Sequence, residues 1–412
     1  VDQTFTLEPA EPAPRAARLA PPAAGRLFLR MLEQLRVGHL GLALPDGQRR
    51  EFGSAGGSLS AQLLLIDWRA CALILRAGDI GFGEALRRGW VASPDLTALL
   101  RLAIGNEPAI ESAVWGGRVL GLWYRLLHAL RRNTRAGSRD NIHAHYDLGN
   151  AFYGLWLDAT WTYSSALFRG DFSASLEAAQ RAKYQRVIDT LDLRPGMRVL
   201  EIGCGWGGFA LYAGERGIRV HGVTISPAQL ELARGRVEAA GLGQRVQLEL
   251  RDYRDLHERY DAIVSIEMFE AVGISFWDTW FDAVHALLLP RGRALVQSIT
   301  IDEARFARYR ASSDFIRHFI FPGGMLPSVK RFVAAAAAAG MVTKDIFAFG
   351  KDYAETMRRW RARFEHAREA ILGQGFDEAF VRTWHLYLCY CEAGFDEGRT
   401  DVVQFLLQRR EV

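Results

Sequence analysis

The run Val199-Leu200-Glu201-Ile202-Gly203-Cys204-Gly205-Trp206-Gly207-Gly208 is an apolar strand with an acid near its end, leading straight into a glycine loop. Such a loop can do nucleotide chemistry. Without Cβ atoms the backbone turns sharply, so a bulky nucleoside can lie against bare peptide at a helix N-terminus. Taken alone, Gly203-x-Gly205-x-x-Gly208 also fits a dinucleotide fold. Two neighbours argue otherwise. Glu201 stands two residues before the first glycine, where it would repel a pyrophosphate and could meet a positively charged ligand group. The second strand, residues 219–223, ends in Thr224-Ile225-Ser226 and lacks the acid that a dinucleotide fold places about 20 residues on to hold the ribose. A nucleoside bearing an ammonium and no pyrophosphate fits better, and S-adenosylmethionine has that character.

The elements that must position this loop are legible on either side. A helix over residues 175–191 puts Leu176, Tyr184, Val187, Ile188 and Leu191 on one face, and Pro195-Gly196 precedes the glycine-loop strand. Strands at 219–223, 246–250, 260–266 and 294–299 alternate with helical segments. Ser226 is placed to cap a helix that Pro227 opens and Gly241 closes. The pattern predicts a doubly wound α/β sheet of Rossmann-like type.

Upstream, residues 37–107 read as a smaller α+β module. A hairpin over 38–52 turns through Pro45-Asp46-Gly47, followed by apolar strands at 63–66 and 71–75. Residues 113–132 read as a helix carrying Trp115, Leu120, Trp123, Tyr124 and Leu127, a face suited to an interdomain core or a membrane interface. Residues 133–141 are polar and mark a boundary. The expected organisation is a disordered tail over 1–25, an N-terminal domain over 26–132, a linker over 133–141 and a catalytic domain over 142–412.

With 412 residues and a net charge of +4, the chain has room for two domains and too little charge for a phosphate-tracking protein. It also lacks the Asn-Pro-Pro or Pro-Cys signatures of nucleic-acid methyltransferases, so no nucleic-acid partner is expected. No apolar run reaches the roughly 18 residues of a membrane span, and no secretory pattern opens the chain, so a cytoplasmic location is expected. Cys71, Cys204, Cys389 and Cys391 form no paired framework and are expected as free thiols. His143 and His145 lack further ligand partners nearby, so no metal is expected. Arginines cluster at 125–139 and again at Arg358, Arg359, Arg361 and Arg363, either as solvated helix faces or as a surface for anions.

Seven motifs then occur in a recognisable order. They are His145-Tyr146-Asp147-Leu148-Gly149-Asn150, Thr162-Tyr163-Ser164-Ser165-Ala166, the glycine loop, Val223-Thr224-Ile225-Ser226, Asp252-Tyr253-Arg254-Asp255, Met268-Phe269-Glu270-Ala271-Val272-Gly273 and Phe321-Pro322-Gly323-Gly324-Met325-Leu326-Pro327-Ser328. Together they closely resemble the cyclopropane-fatty-acyl-phospholipid synthases and their mycolic-acid relatives, from about residue 141 to the C-terminus. Residues 78–90 also resemble that family's N-terminal lipid-interacting module.

The resemblance implies a class I methyltransferase sheet and transfer of one carbon from S-adenosylmethionine to a double bond in an acyl chain of a membrane phospholipid, closing a cyclopropane. It implies a protein peripherally associated with the inner face of the membrane, in a family whose members often form homodimers. Tyr163 and Ser164 would close over the methionine portion, and Glu201, Gly203 and Gly205 would line the pocket. Thr224, Ile225 and Gln229 would meet the ribose, and Tyr253 with Arg254 would flank the adenine. The family's base is a bicarbonate ion held by a Glu, a His and a Tyr with backbone groups. Glu270 matches the Glu and Tyr353 the Tyr, but Gln297 stands where the His belongs and Ser165 where many relatives carry Cys. An amide can donate a hydrogen bond there yet cannot carry charge or shuttle a proton. The same departure admits a lipid C-methyltransferase giving a branched or methylene chain, and a catalytically silent lipid-binding protein is the alternative of another class.

Overall fold

A computed structural model describes residues 21–54, 59–107 and 148–410. The helix expected over 113–132, the linker at 133–141, His143, His145 and the first arginine cluster lie outside them.

The N-terminal part opens with α1 (Ala23–Leu32) and a four-stranded sheet of β1 (His39–Ala43), β2 (Arg49–Gly53), β3 (Ser60–Leu65) and β4 (Val91–Ala92), in the order β2-β1-β3-β4. The expected hairpin is there: β1 and β2 pair antiparallel, and Gly47 takes φ +80 in the turn between them. Ala61, Leu63 and Leu65 alternate inward along β3. The strand expected at 71–75 is instead the first part of α2 (Arg69–Arg87), which bends at Gly78. A five-residue apolar run does not discriminate strand from helix. The helical pattern resumes after the kink at Gly78 through buried Ile80, Ala85 and Leu86 as far as Arg87, and that continuation decides for helix. The segment closes with α3 (Leu96–Gly105), capped by Asp95.

After α4 (Gly149–Gly154), the expected helix appears as α5 (Leu176–Leu191) with Ser175 as its cap. Then β5 (Arg198–Ile202), α6 (Gly208–Glu215), β6 (Arg219–Thr224), α7 (Pro227–Ala239), β7 (Val246–Leu250) and β8 (Tyr260–Ile266) alternate. Next come α8 (Trp277–Leu287), β9 (Leu288–Ile301), α9 (Glu303–Ala311), α10 (Val329–Ala338) and β10 (Met341–Ala348). The chain ends in α11 (Gly350–His366), α12 (Arg368–Gly373), α13 (Glu378–Asp396) and β11 (Thr400–Arg409). Strand order is β10-β11-β9-β8-β5-β6-β7, parallel from β9 to β7, with β11 antiparallel to both its neighbours.

The order reverses between β5 and β8, which opens a crevice at their C-terminal ends. The glycine loop leaves β5 there, and the Met268–Gly273 motif leaves β8 beside it. The helix α13 packs against α2, α3 and α11, so Leu99 and Leu102 share one apolar core with Trp384 and Leu388. The arginines of α11 are bound internally: Arg358 and Arg359 pair with Glu355, Arg361 with Glu392, and Arg363 with Glu177. Each of these four arginines thus has a carboxylate partner, Arg358 and Arg363 while keeping part of their side chains exposed.

Candidate active site

The glycine loop has the geometry its composition predicts. Gly203 takes φ +85, and a Cβ there would stand 2.8 Å from Met268 Cγ. The amides of Gly203 and Cys204 both donate to the Val223 carbonyl, so the loop is stitched to the end of β6. Asn150 braces it from outside, accepting from Trp206 Nε1 (2.7 Å) and donating to the Ala228 carbonyl (2.9 Å). Arg236 reaches from α7 to the carbonyls of Trp206 and Thr160. Neither brace was picked out from the sequence.

Tyr163, Ser164, Glu201, Gly203, Gly205, Thr224, Ile225, Gln229, Tyr253 and Arg254 all line one cavity, as expected of a cofactor pocket. Thr224 Oγ1 donates to Gln229 Oε1 at 3.3 Å, and Arg254 grips Asp252 through two bonds of 2.8 and 2.6 Å. Glu201 is 4% exposed and its Oε2 has no partner among the described residues. Burial holds its carboxyl well above the usual range. An unpaired acceptor in the wall suits the cationic end of S-adenosylmethionine, so the pocket fits that cofactor.

At the end of β8 the structure departs from the sequence-based grouping. Ser165, Gln297 and Tyr353 do come together, but around Glu267 and not Glu270. Glu267 Oε1 accepts from the Ser165 amide (2.9 Å) and from Gln297 Nε2 (2.7 Å), while Oε2 accepts from Tyr353 Oη (2.5 Å). Gln297 is itself oriented by Gln404, whose Nε2 donates to Gln297 Oε1 at 2.9 Å. Glu267 holds φ +51, a left-handed conformation that non-glycine residues adopt at a cost. Strained backbone of this kind gathers at functional sites. The side-chain donors that the resemblance assigns to bicarbonate, Gln297 and Tyr353, are thus spent on a protein carboxylate. The residues present do not fit a bicarbonate ion.

Glu270 lies close by with a different set of partners. Its Oε1 accepts from the Ile299 amide (2.5 Å) and Ser298 Oγ (3.1 Å), and its Oε2 has no partner among the described residues. Burial, reinforced by the Glu267 charge, pushes its carboxyl up to about 8. Glu267 is also raised by burial, but Lys183 and its three donors oppose the rise. Lys183, fully buried on α5, donates to Ser164 Oγ at 2.6 Å. Burial pushes its ammonium down to about 7, against the attraction of Glu267, Asp158 and Glu201. Burial thus raises both neighbouring carboxyls, but at Glu267 a cation and three donors hold back the rise, whereas at Glu270 the Glu267 charge adds to it.

An isosteric amide in place of a neutral acid should be nearly silent. Glu270→Gln is expected to keep methyl-transfer turnover within about threefold of wild type at pH 7, and to lack the change that wild type shows as pH rises through about 8. Rate–pH profiles of the two proteins check this. A fall of two orders of magnitude at pH 7 would place an ionised Glu270 in the chemistry instead.

The cavity does not stop at these carboxyls. It measures about 1220 Å³ and runs on past Phe321, Met325 and Tyr390 to Phe28, Met31, Leu63, Leu99 and Ala103 of the N-terminal segment. Usual small-molecule pockets hold roughly 300–1,000 Å³. There is room for a nucleoside and a long apolar chain end to end, with Glu267 and Glu270 between them. Among the described residues no group of His, Cys, Asp and Glu is placed to hold a metal ion.

The chain is similar to known proteins in sequence and in fold. The family described as mycolic acid cyclopropane synthetase matches residues 133–405. A tuberculostearic acid methyltransferase of Mycobacterium tuberculosis is 40% identical over 352 residues, 81% of this chain and 80% of that protein. The cyclopropane-fatty-acyl-phospholipid synthase of Escherichia coli is 35% identical over 343 residues, 82% of this chain and 85% of its own length. Among solved structures, a mycolic acid cyclopropane synthase complexed with SAH and CTAB superposes with a TM-score of 0.61 at 32% identity, covering 66% of this chain and 98% of that one.

Proposed function

Since this chain belongs to the mycolic acid cyclopropane synthetase family and is an S-adenosylmethionine-dependent methyltransferase, we propose that it adds a one-carbon unit to the double bond of an unsaturated acyl chain in a membrane phospholipid. The observation that carries this reading is the single cavity that joins the glycine-loop pocket to the apolar walls of the N-terminal segment past two buried carboxyls. S-adenosylmethionine, when bound, supplies an electrophilic methyl group on a sulfonium.

An alkene is a poor nucleophile, so the protein's work is positioning and exclusion of water. Phe321, Met325 and the N-terminal apolar residues hold the chain in line, and the glycine loop lets the cofactor approach without intervening side chains. Tyr353, with its ring stacked on Phe395 at 4.4 Å, lends a π face to the positive charge that develops on the chain. Loss of a proton from the added methyl would then close a cyclopropane, the outcome favoured by the likeness to the phospholipid synthase. A second reading, a methylene or methyl-branched chain, is favoured by Gln297 and Glu267, which replace the usual arrangement around the base. The Mycobacterium tuberculosis relative, named for tuberculostearic acid, supports it too.

In this reading the protein works at the cytoplasmic face of the membrane by peripheral association, with which its free thiols are compatible. No helix among the described residues is long and apolar enough to cross a membrane. Purified protein incubated with labelled S-adenosylmethionine and vesicles of monounsaturated phospholipid should yield labelled acyl chains. Mass spectrometry before and after mild hydrogenation separates ring from methylene, since only the methylene takes up hydrogen. Ala103→Trp, which fills the cavity wall on α3, should cut transfer to 18-carbon chains about tenfold or more while leaving cofactor affinity unchanged. Unlabelled lipid with wild-type protein would sink the substrate assignment.

A further inference from the structure

We propose that Glu267 is itself the proton acceptor of the reaction, its carboxylate standing in the cage where a free bicarbonate ion would otherwise bind, so that turnover needs no added bicarbonate. The proposal rests on the methyl-transfer reading above.

The cage is complete without a dissociable anion. Ser165, Gln297 and Tyr353 come from a loop, a central strand and a helix far apart in the chain, and all three donate to one side chain. Oε1 accepts two of these bonds and Oε2 only one, so Oε2 keeps a lone pair for an incoming proton. Glu267 lines the cavity beside Gly203, Met268 and Glu270, at the junction of the cofactor pocket and the apolar stretch. Of the two carboxyls at this strand end, only Glu267 faces a buried cation, Lys183. Glu270 faces Glu267 and hydrogen-bond donors, and is the neutral member of the pair. The left-handed backbone at Glu267 points the same way, since a costly conformation is held here by three converging donors.

The balance is simple. The alkene electron pair forms the bond to the methyl carbon as the carbon–sulfur pair returns to sulfur, which leaves a positive charge on the neighbouring chain carbon. Oε2 takes one proton from the added methyl or from a flanking chain carbon. The released C–H pair closes the ring or the new double bond. A carboxylate and a cation become a neutral acid and a neutral lipid, with no oxidant or other co-reactant.

Three proteins test this: wild type, Glu267→Gln and Glu267→Gly. Glycine takes the positive φ freely and empties the cage, whereas glutamine keeps it filled with a group that is not a base. In bicarbonate-depleted buffer, wild type should turn over at its full rate and both variants should lose at least about 100-fold. Added bicarbonate should restore Glu267→Gly at least tenfold and leave wild type and Glu267→Gln unchanged. A readout without catalysis accompanies this: ¹³C-bicarbonate should show binding by NMR to Glu267→Gly and none to wild type. Calorimetric binding of S-adenosylmethionine confirms that each variant is folded. Wild-type turnover that depends on bicarbonate, or Glu267→Gln within a few-fold of wild type, would overturn the proposal alone. Absence of transfer by wild type under every condition would instead fail the methyl-transfer reading, and this proposal with it.

Discussion

Lys183→Met is expected to destabilise the protein by about 3 kcal/mol at pH 7.5, and by distinctly less at pH 5.5. Lys183 is the buried basic group opposite the buried Glu201 and the part-buried Glu267; with its ammonium pushed down to about 7 it carries charge in only a part of the molecules at pH 7.5, and the substitution removes a proton site that these carboxyls share. Without it these carboxyls avoid an uncompensated charge by taking up protons, which costs about 1.4 kcal/mol for each pH unit above the ordinary carboxyl value. The folded variant then binds more protons than the unfolded chain, so its stability falls as pH rises above about 4.5. Wild type has an opposing contribution. Lys183 titrates near 7 when folded and near 10.5 when unfolded, so the unfolded state holds the extra proton between those values and stability gains across them. Both effects widen the gap between the two proteins as pH rises. Urea unfolding of each at pH 5.5, 7.5 and 9 measures it, and a gap independent of pH would show that Lys183 is not coupled to these carboxyls. The variant should also lose methyl transfer by at least about 100-fold, because a protonated Glu267 has nothing left to accept.

What was legible in the sequence and what was not divides along physical lines. Local signals came through: the glycine loop after β5, the Ser226 cap, the Ser175 cap and the hairpin turn at Gly47 each depend on a few adjacent residues. The gathering of Ser165, Gln297 and Tyr353 was also legible, through the resemblance. What they gather around was not, because three donors from distant segments give Glu267 its part, and none of them is near it in sequence. The available sign was a second acid three residues before Glu270 at the C-terminal edge of a strand. Lys183 left a plainer trace. Gln180 and Lys183 fall on the same helical stripe as Leu176, Tyr184 and Val187, and both are fully buried. A long cation on an apolar face requires buried acids opposite it. The strand β10 escaped because it is an edge strand with mixed exposure, Met341 being its one buried residue. Its alternation is too weak to read.

Gly203→Ala should weaken S-adenosylmethionine binding about 100-fold while costing only about 1–2 kcal/mol of stability. At φ +85 any side chain is strained, and here the added methyl would stand 2.8 Å from Met268 Cγ and 2.9 Å from its Cβ. Met268 cannot yield freely, since it links Glu267 to Glu270 and lines the same cavity. The collision therefore spreads into the cofactor pocket and the carboxyl pair together. Gly196→Ala isolates that consequence. Gly196 takes φ +91 in the turn before β5, where a Cβ would meet nothing within 4 Å, and it lies outside the cavity. Both variants bear the backbone penalty and Gly203→Ala bears the collision as well, so Gly196→Ala should lose somewhat less stability and should bind S-adenosylmethionine as wild type does. Calorimetric titration of the pair separates the readings. Equal affinity in the two variants would mean that the glycine at 203 serves only the turn, whereas loss confined to Gly203→Ala would locate the cofactor against the bare peptide between β5 and β8.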